Sequence, residues 1–251
     1  MKCKNCGDEI QNSPNYCPNC GAKVIKNRLN PKVLAYQVNQ EILAIDNRLF
    51  RTVYALFVAP QDVIIGYISG VRKKYQDVLQ FFAIALTIFG FHYFIMKIFF
   101  PEVFIPNYSW LGDLANDSSI KNNPILNMDA DESYNYSVFV YVVALPISAV
   151  TSFITYWMFD DRRFNLTEHF VINLYITAQI IIVNSIITTL LLTCGLDYWI
   201  IQSFIFIPLY TYFIYVLKCV FNEAWIASFA KFLMIMFLSL IIVLILSLIH
   251  I

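Results

Sequence analysis

From residue 78 onward the chain is a series of long apolar runs divided by short polar joints. Five runs stand out, at residues 78–99, 137–159, 170–194, 199–221 and 226–250. Each holds 22 to 25 residues, so as helices they would reach about 33–37 Å, against about 30 Å for a bilayer's hydrocarbon core. Lipid offers no water to backbone N–H and C=O groups, so each run is predicted to be a helix that satisfies its own backbone. The last is the purest: from Phe232 to Leu246 only Ser239 is polar. Pro146 and Pro208 fall inside runs and predict kinks.

Residues 31–77 carry a different pattern. Ile42, Leu43, Ile45, Leu49, Phe50, Val53, Leu56 and Phe57 recur at helical spacing among Glu41, Asp46, Arg48 and Arg51. Pro60 breaks the series ahead of a second short amphipathic piece at Asp62–Ile68. Amphipathic juxtamembrane helices are expected here, lying at the inner interface or docked on the inner ends of the spans. The predicted organisation is a knob at 1–26, juxtamembrane helices at 31–77 and a transmembrane domain at 78–251. The fold class is an all-α polytopic membrane protein of about five transmembrane helices, carrying a small N-terminal zinc ribbon.

Composition agrees. Apolar residues make up 59% and charged residues 14% of the chain, where soluble domains are about a quarter charged. Net charge is zero, yet the charges are unevenly placed. Residues 1–77 hold eleven of the seventeen basic residues, and Arg162, Arg163, Lys218 and Lys231 fall beside loops on the same side if the N-terminus is inside. Lys97 and Lys121 fall on the other side, where the loop after the first run carries Glu102, Asp113, Asp117, Asp129, Asp131 and Glu132. Positive residues are retained inside, so the N-terminus is expected in the cytoplasm and the C-terminus outside. Met1 to Gly7 shows no apolar signal core, which agrees with residues 1–77 staying on the side of synthesis.

Cys3-Lys4-Asn5-Cys6-Gly7 and Cys17-Pro18-Asn19-Cys20-Gly21 repeat one pattern, C-x2-C-x10-C-x2-C. A two-residue gap lets both sulfurs of a pair face one ion, and the following glycine frees the backbone as it turns. Cys3, Cys6, Cys17 and Cys20 are therefore candidate ligands of a structural zinc. So short a segment has little core of its own, so a metal would supply most of its folding energy. Its basic rim (Lys2, Lys4, Lys23, Lys26, Arg28 and Lys32) is better matched to the anionic headgroups of an inner leaflet than to nucleic acid.

Within the spans, His92 is the clearest ionisable residue, and either a hydrogen bond to a neighbouring helix or a proton relay would explain it. Asn173, Thr177 and Asn184 share roughly one face of the third run, where they either bond helices together or line a polar cavity with His92. Glu168-His169, at the inner edge of that run, is a candidate interfacial site or a helix cap. Arg72, Lys73 and Lys74 stand just before the first run, placed to meet lipid phosphates.

Several of these features occur together in one known family. The paired Cys-x-x-Cys-Gly knuckles, Arg51-Thr52 followed by Pro60, the string Gly66-Tyr67-Ile68-Ser69-Gly70-Val71-Arg72-Lys73-Lys74-Tyr75, and Glu168-His169 resemble bacterial membrane proteins of domain-of-unknown-function family 3667. The resemblance implies a bacterial inner-membrane location and a zinc-ribbon-like start, and it implies no activity. No catalytic constellation is read from the chain. Three functions stay open: a non-enzymatic membrane protein whose knob docks a cytoplasmic partner or the inner surface, a solute or ion transporter using the third run's polar face, and a membrane enzyme acting on a lipid-linked substrate through Glu168 and His169. A homo-oligomer is compatible with each.

Overall fold

The computed structural model describes residues 2–9, 15–22, 24, 48–104, 131–135, 144–159 and 164–249. The chain forms two compact units, Met1–Asn47 and Arg48–Ile251. Residues 31–47, most of the loop after the first expected span, and Arg162-Arg163 lie outside the described residues.

The second unit is helical. In chain order it contains α1 (Arg48–Val58), α2 (Pro60–Ile68), α3 (Val78–Phe99), α4 (Ala144–Met158), α5 (Leu166–Thr193), α6 (Tyr198–Phe221) and α7 (Trp225–Ile249). Three of these, α3, α5 and α6, are each long and apolar enough to cross a bilayer, and a fourth span results if α1 and α2 are counted as one bent element. The expected second span is described only as the 15 residues of α4. In the last, a shorter apolar helix is described at Trp225–Ser239. A mostly helical protein with three to four membrane-length elements is therefore what the described residues establish, in place of five complete spans.

Helix ends follow local chemistry. Asp77 caps α3 by accepting from the Leu79 N–H at 3.1 Å, and Asp197 caps α6 by accepting from the N–H groups of Trp199 and Ile200. Side-chain oxygens at these positions satisfy donors that the first turn leaves without partners. After α2, Gly70 takes φ +98°, and the chain closes with Val71 N–H to Gly66 O at 2.9 Å and Gly70 N–H to Tyr67 O at 3.1 Å. This is a Schellman stop, which needs the left-handed conformation that glycine adopts without steric cost.

Helix α5 is the hub, packing against α2, α3, α4 and α6, and α7 packs on α6 and α4. Contacts fix the directions. Phe81 meets Tyr175 and His92 meets Thr189, so α3 and α5 run parallel. Ser148 meets Thr177 and Thr155 meets His169, so α4 is antiparallel to α5. His169 meets Phe221 and Gln202 meets Thr188, so α6 is antiparallel as well. Tyr210 on Phe232 and Tyr215 on Trp225 reverse α7 against α6. Large apolar side chains face outward, among them Phe91, Phe94 and Ile98 on α3, Phe204 and Ile207 on α6, and Phe229, Leu233 and Phe237 on α7. Such a continuous apolar exterior far exceeds what water-soluble monomers expose.

The described part of the expected juxtamembrane stretch, residues 48–77, belongs to the same compact unit as the long helices. The chain bends by 115° between α1 and α2, and α2 packs on α5 and α6. Pro60 explains the break. In a continuous helix its N–H would bond the Leu56 carbonyl, and proline has none. The carbonyls freed at the break find side-chain donors instead: Tyr212 OH faces Leu56 O at 3.4 Å and Tyr215 OH donates to Val58 O at 3.0 Å, while Gln179 Nε2 donates to Val53 O, one turn back inside α1, at 3.2 Å. Broken helices are tolerated in a bilayer when neighbours re-satisfy the backbone in this way. On α1, Thr52 and Leu56 are buried, whereas Phe50, Tyr54, Phe57 and Val58 are exposed. The face turned away from the bundle is thus largely aromatic and apolar, unlike that of a helix resting on water.

Candidate metal centre and the polar groups of the bundle

In the first unit, two knuckles share one backbone plan. Gly7 N–H donates to Cys3 O at 2.9 Å and Gly21 N–H to Cys17 O at 3.0 Å, while Cys3 N–H donates to Asp8 O and Cys17 N–H to Ala22 O, each at 2.8 Å. Gly7 and Gly21 take φ of +81° and +68°, so the glycine after each pair is what lets the turn close. Asn19 Nδ2 donates to the Asp8 carboxylate, linking one knuckle to the other.

This plan brings the sulfurs of Cys3, Cys6, Cys17 and Cys20 within 4.8 Å of one another. The Cys3–Cys20 and Cys6–Cys17 Sγ separations are both 3.7 Å. A tetrahedron with metal–sulfur bonds of ~2.3 Å has edges of about 3.8 Å, so the four sulfurs fit one tetrahedral ion, and such a cluster can hold a metal. The thiols also compete for protons. Backbone N–H groups of Cys6 and Asn5 hold the Cys3 thiol below its usual range. The Asn5 side chain and the Ala22 N–H bring Cys20 down to about 6. The Asp8 N–H pulls Cys6 the same way, but neighbouring Cys20, burial, Cys3 and Cys17 outweigh it and push Cys6 up to about 12. Metal and protons thus contend for the same sulfur lone pairs.

The polar residues of α5 divide among its neighbours. Asn173 Nδ2 and His169 Nδ1 both meet Thr155 Oγ1 of α4, at 3.0 and 3.1 Å. Thr155 gives its own proton to Ser152 O, so the network assigns the His169 ring proton to Nδ1. His169 Nε2 and Asn173 Oδ1 are buried without a hydrogen-bond partner. Thr177 faces Ser148, also of α4. Asn184 faces Thr188, which Gln202 of α6 reaches at 3.3 Å. His92 Nδ1 lies 2.6 Å from Thr189 Oγ1, on the α3 side. Asn173 and Thr177 thus face α4, His92 reaches α5 from α3, and Asn184 is bonded within α5, so the four are not brought to one site.

Glu168 forms a capping box with Asn165: Asn165 N–H donates to Glu168 Oε2 at 2.7 Å, and Glu168 N–H donates to Asn165 Oδ1 at 2.9 Å. His169, its neighbour, points instead into an aromatic stack with Phe221, which lies on Phe159, whose other face carries the Lys231 ammonium at 4.1 Å. Lys231 also pairs with Glu223. Arg72 lays its guanidinium 3.8 Å over the Tyr67 ring, and Tyr67 OH donates to Asp77 at 2.9 Å. Arg72, Lys73 and Lys74 are all exposed. The sequence reading gave Thr52 no role beyond the Arg51-Thr52 pair of the resemblance, and it did not single out Gln76 and Tyr175. Gln76 N–H donates to Thr52 Oγ1 at 2.8 Å and Tyr175 OH donates to Gln76 O at 2.7 Å, tying α1, the approach to α3 and α5 together.

An all-helical chain with bilayer-length apolar helices and a four-cysteine cluster defines a class consistent with multi-pass membrane proteins bearing a small metal-binding unit. Residues 46–90 match the family model described as "Protein of unknown function (DUF3667)". The matched stretch contains Arg51-Thr52, Pro60 and the Gly66–Tyr75 string, so the resemblance drawn from those residues holds over α1, α2 and the first part of α3. No curated protein and no solved structure matches the chain.

Proposed function

We propose that this chain is a five-span, non-enzymatic protein of a bacterial inner membrane, whose cytoplasmic zinc knuckle docks a protein partner beside an anionic leaflet. The observation that carries the reading is the closed four-sulfur cluster. Zinc is the ion that tetrahedral cysteine sites of this kind typically hold, and four thiolates leave no open position for a substrate or activated water. The site's role is then to fix a shape that another molecule can recognise. Alternation of direction from α3 through α7 supports five crossings, with α3, α5 and α7 leaving the cytoplasm and α4 and α6 returning. Arg72, Lys73 and Lys74 then meet inner-leaflet phosphates. The dispersal of the α5 polar groups among three neighbours disfavours a conduit along that helix, and Glu168's engagement in the helix cap disfavours an acid–base role.

The test is zero-length crosslinking in cells, comparing wild type with Cys17→Ser at equal membrane abundance. A discrete crosslinked partner, present with wild type and lost with Cys17→Ser, supports the reading. Identical crosslink patterns, or purified wild type carrying no stoichiometric zinc, overturn it.

A further inference from the structure

Three successive cations, Arg72, Lys73 and Lys74, stand in the loop between α2 and α3, and all three are exposed. Among the described residues none of them has a carboxylate ion partner. The loop that carries them is pinned at both ends. It starts from the Gly70 stop, where Val71 N–H bonds Gly66 O. It ends on Tyr75 and Gln76, both buried, with the Gln76 N–H bonded to Thr52 and its carbonyl to Tyr175. Two of the cations lie over rings: the Arg72 guanidinium is 3.8 Å from the centre of the Tyr67 ring, and the Lys74 ammonium is 4.9 Å from that of Tyr75. Tyr67 is held in turn by its hydroxyl on Asp77 and by an edge-on contact with Tyr175. A ring orders a guanidinium without consuming its fork of N–H donors. Asp77 does not absorb those donors, because one of its oxygens takes Leu79 N–H and the other Tyr67 OH.

We infer that this loop is a discrete site for one anionic phospholipid, with Arg72 as its phosphate fork. A guanidinium already oriented on a ring gives up little freedom when it takes two phosphate oxygens side by side. Lys73 and Lys74 then favour a head of net negative charge over a zwitterionic one. The surroundings select a lipid over a phosphate from solution. Val71 precedes the cations and Leu79 follows them in the first turn of α3, and both are exposed, so apolar surface for an acyl chain lies next to the charge that would hold its head. The loop also ends one residue ahead of the Asp77 cap of α3, where a span beginning at Val78 places the headgroup layer. A diffuse basic surface answers to charge alone, whereas a built site answers to the identity of Arg72 and of the ring beneath it. The inference rests on the membrane placement proposed above, narrows it to one lipid at one loop, and is independent of the metal unit.

Native mass spectrometry of the full-length protein in dodecyl maltoside, titrated with phosphatidylglycerol or with phosphatidylcholine, counts bound lipids and gives the affinity of the first. Phosphatidylglycerol is expected to bind first by about tenfold, the worth of one charge-assisted hydrogen bond. Arg72→Lys keeps the charge and loses the fork, and it should remove most of that preference. Tyr67→Leu should do the same, whereas Tyr67→Phe, which retains the ring, should preserve it. Lys218→Gln removes a cation that also lies over a ring, 5.2 Å from that of Trp225, and should change nothing. Glycerol phosphate in large excess should not compete. Circular dichroism verifies that each variant is folded. A preference that survives Arg72→Lys, or that falls equally in Lys218→Gln, overturns the discrete site, and displacement by glycerol phosphate overturns the lipid as its occupant. Flotation with vesicles of phosphatidylcholine alone reads membrane insertion separately. A chain that floats without preferring phosphatidylglycerol refutes this inference and leaves the membrane placement standing; a chain that does not float removes both.

Discussion

Tyr175→Phe isolates one hydrogen bond on which the junction of α1, α3 and α5 depends. Tyr175 is fully buried, and its hydroxyl donates to the Gln76 carbonyl at 2.7 Å. Gln76 lies just ahead of the Asp77 cap of α3, so helix hydrogen bonding does not serve its carbonyl. Phenylalanine preserves the ring contacts with Tyr67 and Phe81 and removes only the donor. Hydrogen bonds between membrane helices average roughly 0.6 kcal/mol and reach about 1.7. A short, buried bond whose acceptor is left stranded belongs at the upper end, so the expected loss is about 1.5 kcal/mol, roughly tenfold in the unfolding constant. Tyr212→Phe serves as the contrast. Its 3.4 Å contact to Leu56 O is longer than a good O–H···O bond, and its loss should fall below about 0.5 kcal/mol. Tyr67→Phe should also cost little, because Asp77, the acceptor of its hydroxyl, also accepts from Leu79 N–H. Reversible unfolding of the full chain in mixed dodecyl maltoside–SDS micelles, followed by circular dichroism, measures all three. If Tyr175→Phe costs no more than Tyr212→Phe, water reaches the Gln76 carbonyl and the sealed junction described above is wrong.

Thr155 accepts from both His169 and Asn173, so Thr155→Val should strand two buried donors and cost about 2–3 kcal/mol in the same assay, whereas Thr155→Ser should be nearly silent. Glu168→Gln should leave the Asn165 capping box intact, since glutamine serves equally in that motif, while Glu168→Ala should cost about 1 kcal/mol; loss of a cellular function in Glu168→Gln would instead point to an acid–base role. Because cysteine thiols must shed their protons to bind a metal, zinc affinity of the full chain should fall steadily as pH drops. The Cys6 thiol, held up near 12, and the Cys20 thiol, held down near 6, set the sign. At pH 7 a metal must displace the Cys6 proton, and near pH 5 it must displace the Cys20 proton as well, so competition with a chelating dye should show more protons released per zinc at the lower pH.

What could be read from the sequence depended on the range of the interaction. The four cysteines are brought together by turns that each span five or six residues, so spacing was enough. The first span was predicted at residues 78–99 and the helix is Val78–Phe99, because run length and the Asp77 cap are both local. The third was expected from residue 170, yet α5 begins at Leu166, since the capping box draws Thr167, Glu168 and His169 into a helix that hydropathy ends at Phe170. The elbow escaped notice because Pro60 shows a break without showing its partners, and Leu56 meets Tyr212 across 156 residues. The polar face of the third run dissolved for a related reason. A helix packed on several sides has partners in each direction, so neighbouring polar residues such as Thr188 and Thr189 can face different helices. Periodicity detects one wet face and is blind to that arrangement.

The family-matched stretch, 46–90, holds the acceptors of the elbow, whereas Gln179, Tyr212 and Tyr215, which donate to them, lie outside it. If Pro60 by itself set the bend, those donors would be incidental. If the bend is maintained by the bundle, removing all three donors should let the pair open. Helices of 9 residues (α2) and about 11 residues (α1) span roughly 13 and 16 Å. Bent by 115°, they hold their far ends about 16 Å apart, and in line those ends would stand about 30 Å apart. Orthogonal spin labels at the exposed positions Phe50 and Ser69 read this distance by electron–electron resonance. Wild type should give a single short distance, and the combined Gln179→Leu, Tyr212→Phe and Tyr215→Phe variant a broad distribution reaching well beyond it. An unchanged short distance in the folded triple variant would assign the bend to the proline and leave the donors no role in holding it.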